Sequence, residues 1–251
     1  MEKTKTIAGF IAVSCLVVAC GGGGSDSGNS TGSSNSTPPP SAGTTTPTDA
    51  QVISLVQATN IDFVLGANGR PAGTWRWSDT PSRHIPVYIP TPAAGDTTAQ
   101  DYAAKVNTSV ALINTKLAGL LVLDATNTLP TSGKFIQVSY GTSWVPPGST
   151  DYAGYCANVA TGPSTGSMIM PDIQNGIFSN PVFVNLGNGR CNVTQEIVTH
   201  EFGHALGLAN HFDGFGTNDT SSTAFWDVLA TLYSNPQSTL PANLVVKRAP
   251  K

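Results

Sequence analysis

The sequence predicts an α+β fold: a twisted, mixed sheet with one long amphipathic helix and a second helix built around HEFGHAL. Three observations carry that prediction. Short β-rich runs bounded by Pro and Gly recur between residues 83 and 187, residues 97 to 119 repeat apolar side chains at helical spacing, and residues 192 to 206 form another helical stretch stopped by Gly207.

Taken in order, RHIPVYIP (83 to 90) is a first strand fenced by prolines. The next stretch places Ala99, Tyr102, Ala103, Val106, Val110, Ile113 and Leu117 at helical spacing, with Thr97 and Gln100 fitting a capping box and Gly119 a stop. GKFIQVSYGTS (133 to 143) alternates Ile136, Val138 and Tyr140 against Phe135, Gln137 and Ser139, the pattern of a half-buried strand. GSMIMPDI (166 to 173) and PVFVNLG (181 to 187) are shorter strand candidates, and the Gly-, Pro- and Asn-rich stretches at 141 to 165 and 174 to 180 are predicted as long loops. The helix around HEFGHAL is predicted from an Asn192 N-cap to Leu206, where Gly207 supplies the left-handed residue that ends it. STAFWDVLATLY (222 to 233) sets Phe225, Val228, Leu229 and Leu232 on one face before Pro236 forbids continuation.

Ahead of this domain, residues 1 to 19 carry two lysines and then an apolar run from Ile7 to Ala19, the pattern of an export signal and too short to span a bilayer. The residues VVAC ending at Cys20 resemble a bacterial lipobox, which implies cleavage before Cys20, acylation of its thiol and anchorage to a membrane of the cell envelope, the outer membrane or the cell surface. Residues 20 to 50 are Gly, Ser, Thr, Asn and Pro with almost nothing to bury, a flexible tether. Residues 51 to 251 have the length and composition of one medium-sized domain with a sizeable core, expected as a monomer.

Twelve Lys+Arg against fifteen Asp+Glu, with no basic stripe, exclude nucleic acid as a natural partner. The terminal KRAPK is expected as a solvated tail. With Cys15 lost in the signal and Cys20 lipidated, Cys156 and Cys191 remain, and in an exported protein they are expected to form one disulfide.

The chemistry concentrates in HEFGHALGLANHF, residues 200 to 212. On a helix His200 and His204 lie on one face about 6 Å apart along the axis, so both imidazoles reach one zinc ion. Glu201 is placed to serve as general base toward a water that zinc activates, which is the chemistry of metal-assisted peptide hydrolysis. Only four histidines occur in the chain, and His200, His204 and His211 fall within twelve residues. His84, alone beside the first strand, is expected to be structural or on the surface.

A third ligand from a glutamate on a later helix is excluded by counting, because no glutamate follows Glu201. GTND (216 to 219) matches only the first half of a second group's G-T-x-D-x-x-Y-G segment, so that group is a weak fit. HEFGHALGL resembles the signature of the metzincin metalloproteases, matrixin-like members above all, whose pattern H-E-x-x-H-x-x-G-x-x-H is met at His200, Glu201, His204 and Gly207. The next pattern position holds Asn210, with His211 beside it. Snapalysin-like metzincins carry an aspartate followed by a histidine at these two places, and ligand softness favours His211, with Asn210 and Asp213 as alternative ligands.

The resemblance implies a mostly parallel twisted sheet, a cleft between upper and lower subdomains, a bound Zn2+ and endopeptidase activity on protein or peptide substrates. It also implies a substrate bound antiparallel to an edge strand, a role for which GSMIMPDI is the expected segment. The family places a methionine turn beneath the zinc, whereas Met1, Met168 and Met170 all precede the motif, so another apolar residue such as Phe225 is expected there. The competing reading is a zinc-binding surface lipoprotein without activity, an adhesion or assembly module.

Overall fold

Alternating strands and helices place a sheet behind the HEFGH helix. The computed structural model describes residues 46–63, 73–78, 83–169, 171–172, 176–177, 180–216 and 220–251. The export segment, Cys20, most of the tether, Met170 and residues 217–219 lie outside the described residues.

The elements in order are α1 (Asp49–Thr59), β1 (His84–Tyr88), α2 (Thr97–Lys116), β2 (Val122–Thr126), β3 (Ile136–Tyr140), β4 (Ala157–Ala160), β5 (Pro171–Asp172), β6 (Gly176–Ile177), β7 (Val182–Leu186), α3 (Gln195–Ala205) and α4 (Thr223–Ser234). Five strands make one sheet in the order β2-β1-β3-β7-β4, while β5 and β6 pair as a separate two-stranded ribbon. All pairings in the large sheet are parallel except that of β4, which runs antiparallel to β7 along one edge. The α+β class therefore holds. Among the described residues no helix is long and apolar enough to cross a membrane.

The period-2 pattern of the strands explains the core. Ile85, Val87, Ile136, Val138, Val182, Val184 and Leu186 are buried, and the register sets Val87 beside Ile136 and Ile136 beside Val182. Against them pack Val106, Val110 and Ile113 of α2 and Val198, Phe202 and Ala205 of α3. The two helices also share a polar seam: the Ser109 and Thr199 hydroxyls lie 2.9 Å apart, and Gln195 Nε2 donates to Ser109 Oγ at 2.7 Å. Pairing those buried hydroxyls across the seam fixes how α3 sits on α2.

Several sequence expectations shift. The cap of α2 is Asp96, whose carboxylate accepts from Ala99 N at 2.9 Å, one residue before the expected Thr97 box. The α3 cap is Thr194, accepting from Ile197 N, and not Asn192. Among the described residues the 166 to 173 candidate contributes the strand Pro171–Asp172, paired with Gly176–Ile177 from a stretch expected as loop. The edge strand of the main sheet is instead β4, inside the 141 to 165 stretch also expected as loop. Strand β2 and helix α1 were not expected; α1 opens with a capping box of Thr48 and Gln51 at the end of the tether segment and buries Val52 and Val56.

The terminal KRAPK is not a solvated tail. Asp227, Thr231 and Asn235, four residues apart on α4, hydrogen-bond the backbone of Ala249, Lys247 and Val245 respectively. Four helical residues advance about 6 Å and two extended residues about 6.6 Å, so the two repeats match along the whole contact. Arg248 adds a 2.7 Å bond to the buried Asp227 carboxylate and a second to Asp49 at the start of α1.

Candidate metal centre

Helix α3 brings His200, Glu201 and His204 into the interior, each less than a tenth exposed. The carbonyls at its end and just beyond lack intrahelical partners, as at any helix end, and four side chains take Ala205 O to Leu208 O in turn. Trp77 Nε1 donates to Ala205 O, the Tyr233 hydroxyl to Leu206 O, Asn60 Nδ2 to Gly207 O, and His204 Nδ1 approaches Leu208 O at 2.5 Å. Gly207 itself has φ +109°, a conformation that glycine adopts without strain, and a Cβ there would fit tightly, 3.3 Å from Asn60 Nδ2. The chain turns there and returns His211 to the other two histidines.

The three Nε2 atoms converge: His200 to His204 is 3.0 Å, His204 to His211 is 3.2 Å and His200 to His211 is 3.0 Å. Three ligands set tetrahedrally about 2.0–2.1 Å from a zinc ion are roughly 3.3–3.4 Å apart, so the spacing fits one ion shared by all three. The protonation pattern fits as well. His204 Nδ1 faces a carbonyl and must carry the proton, which leaves Nε2 as a bare lone pair directed at the other two rings. Burial lowers the pKa of His200 from 6.5 to about 3, holds His204 well below 6.5 and lowers His211, so all three are neutral at pH 7, the form that binds metals. The cluster is the one group of potential metal ligands found among the described residues.

Glu201 follows His200 on α3 and is 3% exposed, and its Oε2 has no hydrogen-bond partner. Burial pushes its carboxyl up to about 8 from an ordinary 4.5. An unpartnered buried carboxyl is costly, and here it sits on the helix that carries two of the three converging histidines.

Beneath the histidines lies Phe215, fully buried, with its ring 4.5 Å from His200, 4.9 Å from His204 and 5.5 Å from His211. Phe225, the expected floor, is one layer lower, stacked on Phe215 at 5.2 Å. Phe215 gets there because the chain reverses immediately after His211: Phe212 and Phe215 exchange both backbone hydrogen bonds across Asp213 and Gly214. Gly203 makes room, since a Cβ on it would come within 2.8 Å of Phe225 and 3.0 Å of Phe215.

The alternative ligands are elsewhere. Asn210 turns away from the triad and donates from Nδ2 to Ala58 O at 3.0 Å, while Asp213 is exposed at the turn between the two phenylalanines. Neither joins the histidine cluster. Cys156 and Cys191 form a disulfide that ties the start of β4 to the segment leading into α3. His84 is on the surface, 2.7 Å from Asp124. Met168 packs partly buried against the core.

Sequence reasoning missed Phe215, the C-terminal end of α1 and strand β4. The Asp-Gly pair between two phenylalanines was a turn signal, and Thr48 with Gln51 was a capping signal; both are visible in the chain. Compared with models of known protein families and with curated proteins, the chain matches none.

Proposed function

We propose that this chain is a zinc-dependent endopeptidase of the metzincin type, exported and held to the cell envelope by lipid on Cys20. The observation that carries the reading is the convergence of three neutral imidazole Nε2 atoms beside a buried, unpartnered carboxyl on the same helix. His200, His204 and His211 would hold the metal, and zinc bound there would supply Lewis acidity toward a substrate carbonyl and toward water. Glu201 would take a proton from the attacking water and return it to the leaving amine. Burial keeps the Glu201 carboxyl protonated up to about 8 in the metal-free protein, and a cation held by the three histidines would favour the carboxylate that takes the proton.

A peptide would be positioned by β4. Gly187 N donates to Cys156 O, so by the alternation of an antiparallel pair the backbone groups of Ala157 and Val159 face away from β7. At the far end Thr161 N donates to Ser167 O, which shortens the open edge to those two residues. Main-chain bonding along such an edge favours extended segments with little side-chain selectivity. The mostly parallel sheet with one antiparallel edge strand supports the metzincin reading, as does the helix ended by Gly207.

An inactive zinc-binding lipoprotein would need the histidines but would gain nothing from burying Glu201 without a partner. The full chain, incubated with an unfolded protein, should cleave it, lose the activity to a zinc chelator and regain it when zinc is restored. Activity that persists unchanged through chelation would contradict the metal reading.

A further inference from the structure

We infer that Thr59, at the end of α1, is a positioning residue for His211, so that the first helix after the tether is part of the metal centre. The inference rests on the three-histidine metal reading and adds to it a part of the chain that carries no ligand.

The argument starts from the end of a helix. The last carbonyls of α1 have no partner within the helix, and the loop after α3 supplies their donors. Thr59 O accepts from Ala209 N at 2.8 Å and from Asn210 N at 3.4 Å. Ala58 O accepts from Asn210 Nδ2 at 3.0 Å. In return the Thr59 hydroxyl donates to Asn210 O at 2.6 Å, the carbonyl joined directly to the nitrogen of His211. Asn60, fully buried, donates to Gly207 O and to Trp75 O and accepts from Trp75 N.

Among the described residues the backbone anchors of residues 207 to 210 therefore lie either in α3 or on Thr59 and Asn60, the last residue of α1 and its cap. His200 and His204 are fixed by α3 and need no help from α1. His211 is the outermost of the three, on a loop held after it by the Phe212–Phe215 turn and before it by the bonds of residues 209 and 210 to Thr59. Groups hydrogen-bonded directly to a ligand's own ring or carboxylate commonly change metal affinity 10- to 100-fold when removed, and Thr59, acting one peptide bond further out, is expected at the low end of that range.

The same contact explains Asn210. It stands where a ligand is expected by the motif, yet its side chain and both its backbone groups are spent on α1. The one-residue displacement of the histidine and the recruitment of α1 are two sides of one arrangement: position 210 anchors the loop and position 211 reaches the metal.

The test uses the full chain as wild type and as Thr59→Val, Thr59→Ser and Val52→Ala. Thr59→Val keeps the shape and removes only the hydroxyl, and the melting of its metal-free form reports whether it folds. Val52→Ala makes a cavity in α1 away from the loop. Zinc dissociation constants are measured by competition with a chromophoric chelator, and melting of the metal-free form is measured beside them. Thr59→Val should weaken zinc binding about 10-fold, Thr59→Ser should restore it to within twofold, and Val52→Ala should lower melting while leaving zinc affinity within twofold. Zinc affinity unchanged in Thr59→Val, or weakened as much in Val52→Ala, overturns the inference while wild-type binding stands. Wild type that binds no zinc overturns the metal reading and the inference together.

Discussion

Phe215 stacks on His200 with ring centroids 4.5 Å apart and planes only 23° from parallel, and Phe225 stacks beneath Phe215 in turn at 20°. The histidine cluster rests on an aromatic column. Removing its upper ring opens a cavity under all three imidazoles, so Phe215→Ala should cost about 3–5 kcal/mol of stability. Phe215→Met, closer in volume, should cost under about 1.5 kcal/mol and keep zinc binding. Denaturant unfolding of the two variants checks the contrast, and equal costs would show that the column does not support the site.

His211→Ala should lose most of the bound zinc, whereas Asn210→Ala and Asp213→Ala should retain close to one equivalent. The geometry behind this is the 3.0 Å and 3.2 Å approach of His211 Nε2 to the other two ring nitrogens and the turning of Asn210 toward Ala58. Elemental analysis after dialysis decides it. Loss of zinc from Asn210→Ala with retention in His211→Ala would reverse the assignment.

In the metal-free protein Glu201 and the histidines act on stability with opposite signs. Glu201 keeps its proton up to about 8 when folded and to about 4.5 when unfolded, so the folded state binds more protons across that window and stability falls as pH rises through it. The histidines are depressed from 6.5, His200 to about 3, so the unfolded state binds more protons and stability falls as pH drops below 6.5. Glu201→Gln removes the first contribution alone. Its melting temperature relative to wild type should therefore increase from pH 5 to pH 8, measured with chelator present; a difference that does not change with pH would show that Glu201 is not held protonated.

Asp227 is 1% exposed and accepts from both Arg248 Nη1 and Ala249 N. Asp227→Ala strips the C-terminal strap of its best anchor and leaves Arg248 to Asp49 alone. A loss of about 2–3 kcal/mol is expected, since hydrogen bonds to charged groups contribute roughly 1.5–3 kcal/mol. Chemical denaturation measures it, with faster carboxypeptidase trimming of the tail as an independent readout.

Much of this molecule was legible in the chain because local patterning and tertiary packing agree. The 3.6 period of α2 and the alternation of β3 match the faces that are buried, and the HEFGH spacing alone placed two ligands and Glu201 together. The rest depended on contacts distant in sequence. Strand β4 is four residues of small and polar side chains whose pairing with β7 is defined by the register and by the disulfide at its start. Thr59 and Asn210 are 151 residues apart, and no periodicity links them. The tail was misread because its charged residues suggest solvation, while what holds it is a row of side chains on α4 that bonds its backbone.

The most direct test of the central claim takes one preparation each of wild type and Glu201→Gln and measures zinc content and hydrolysis of an unfolded protein on the same samples. Both should carry one zinc per chain, and only wild type should cleave, with at least about a 100-fold loss in the variant, the lower end of what a general base contributes. One zinc per chain with equal hydrolysis in the two, or with none in either, would contradict it.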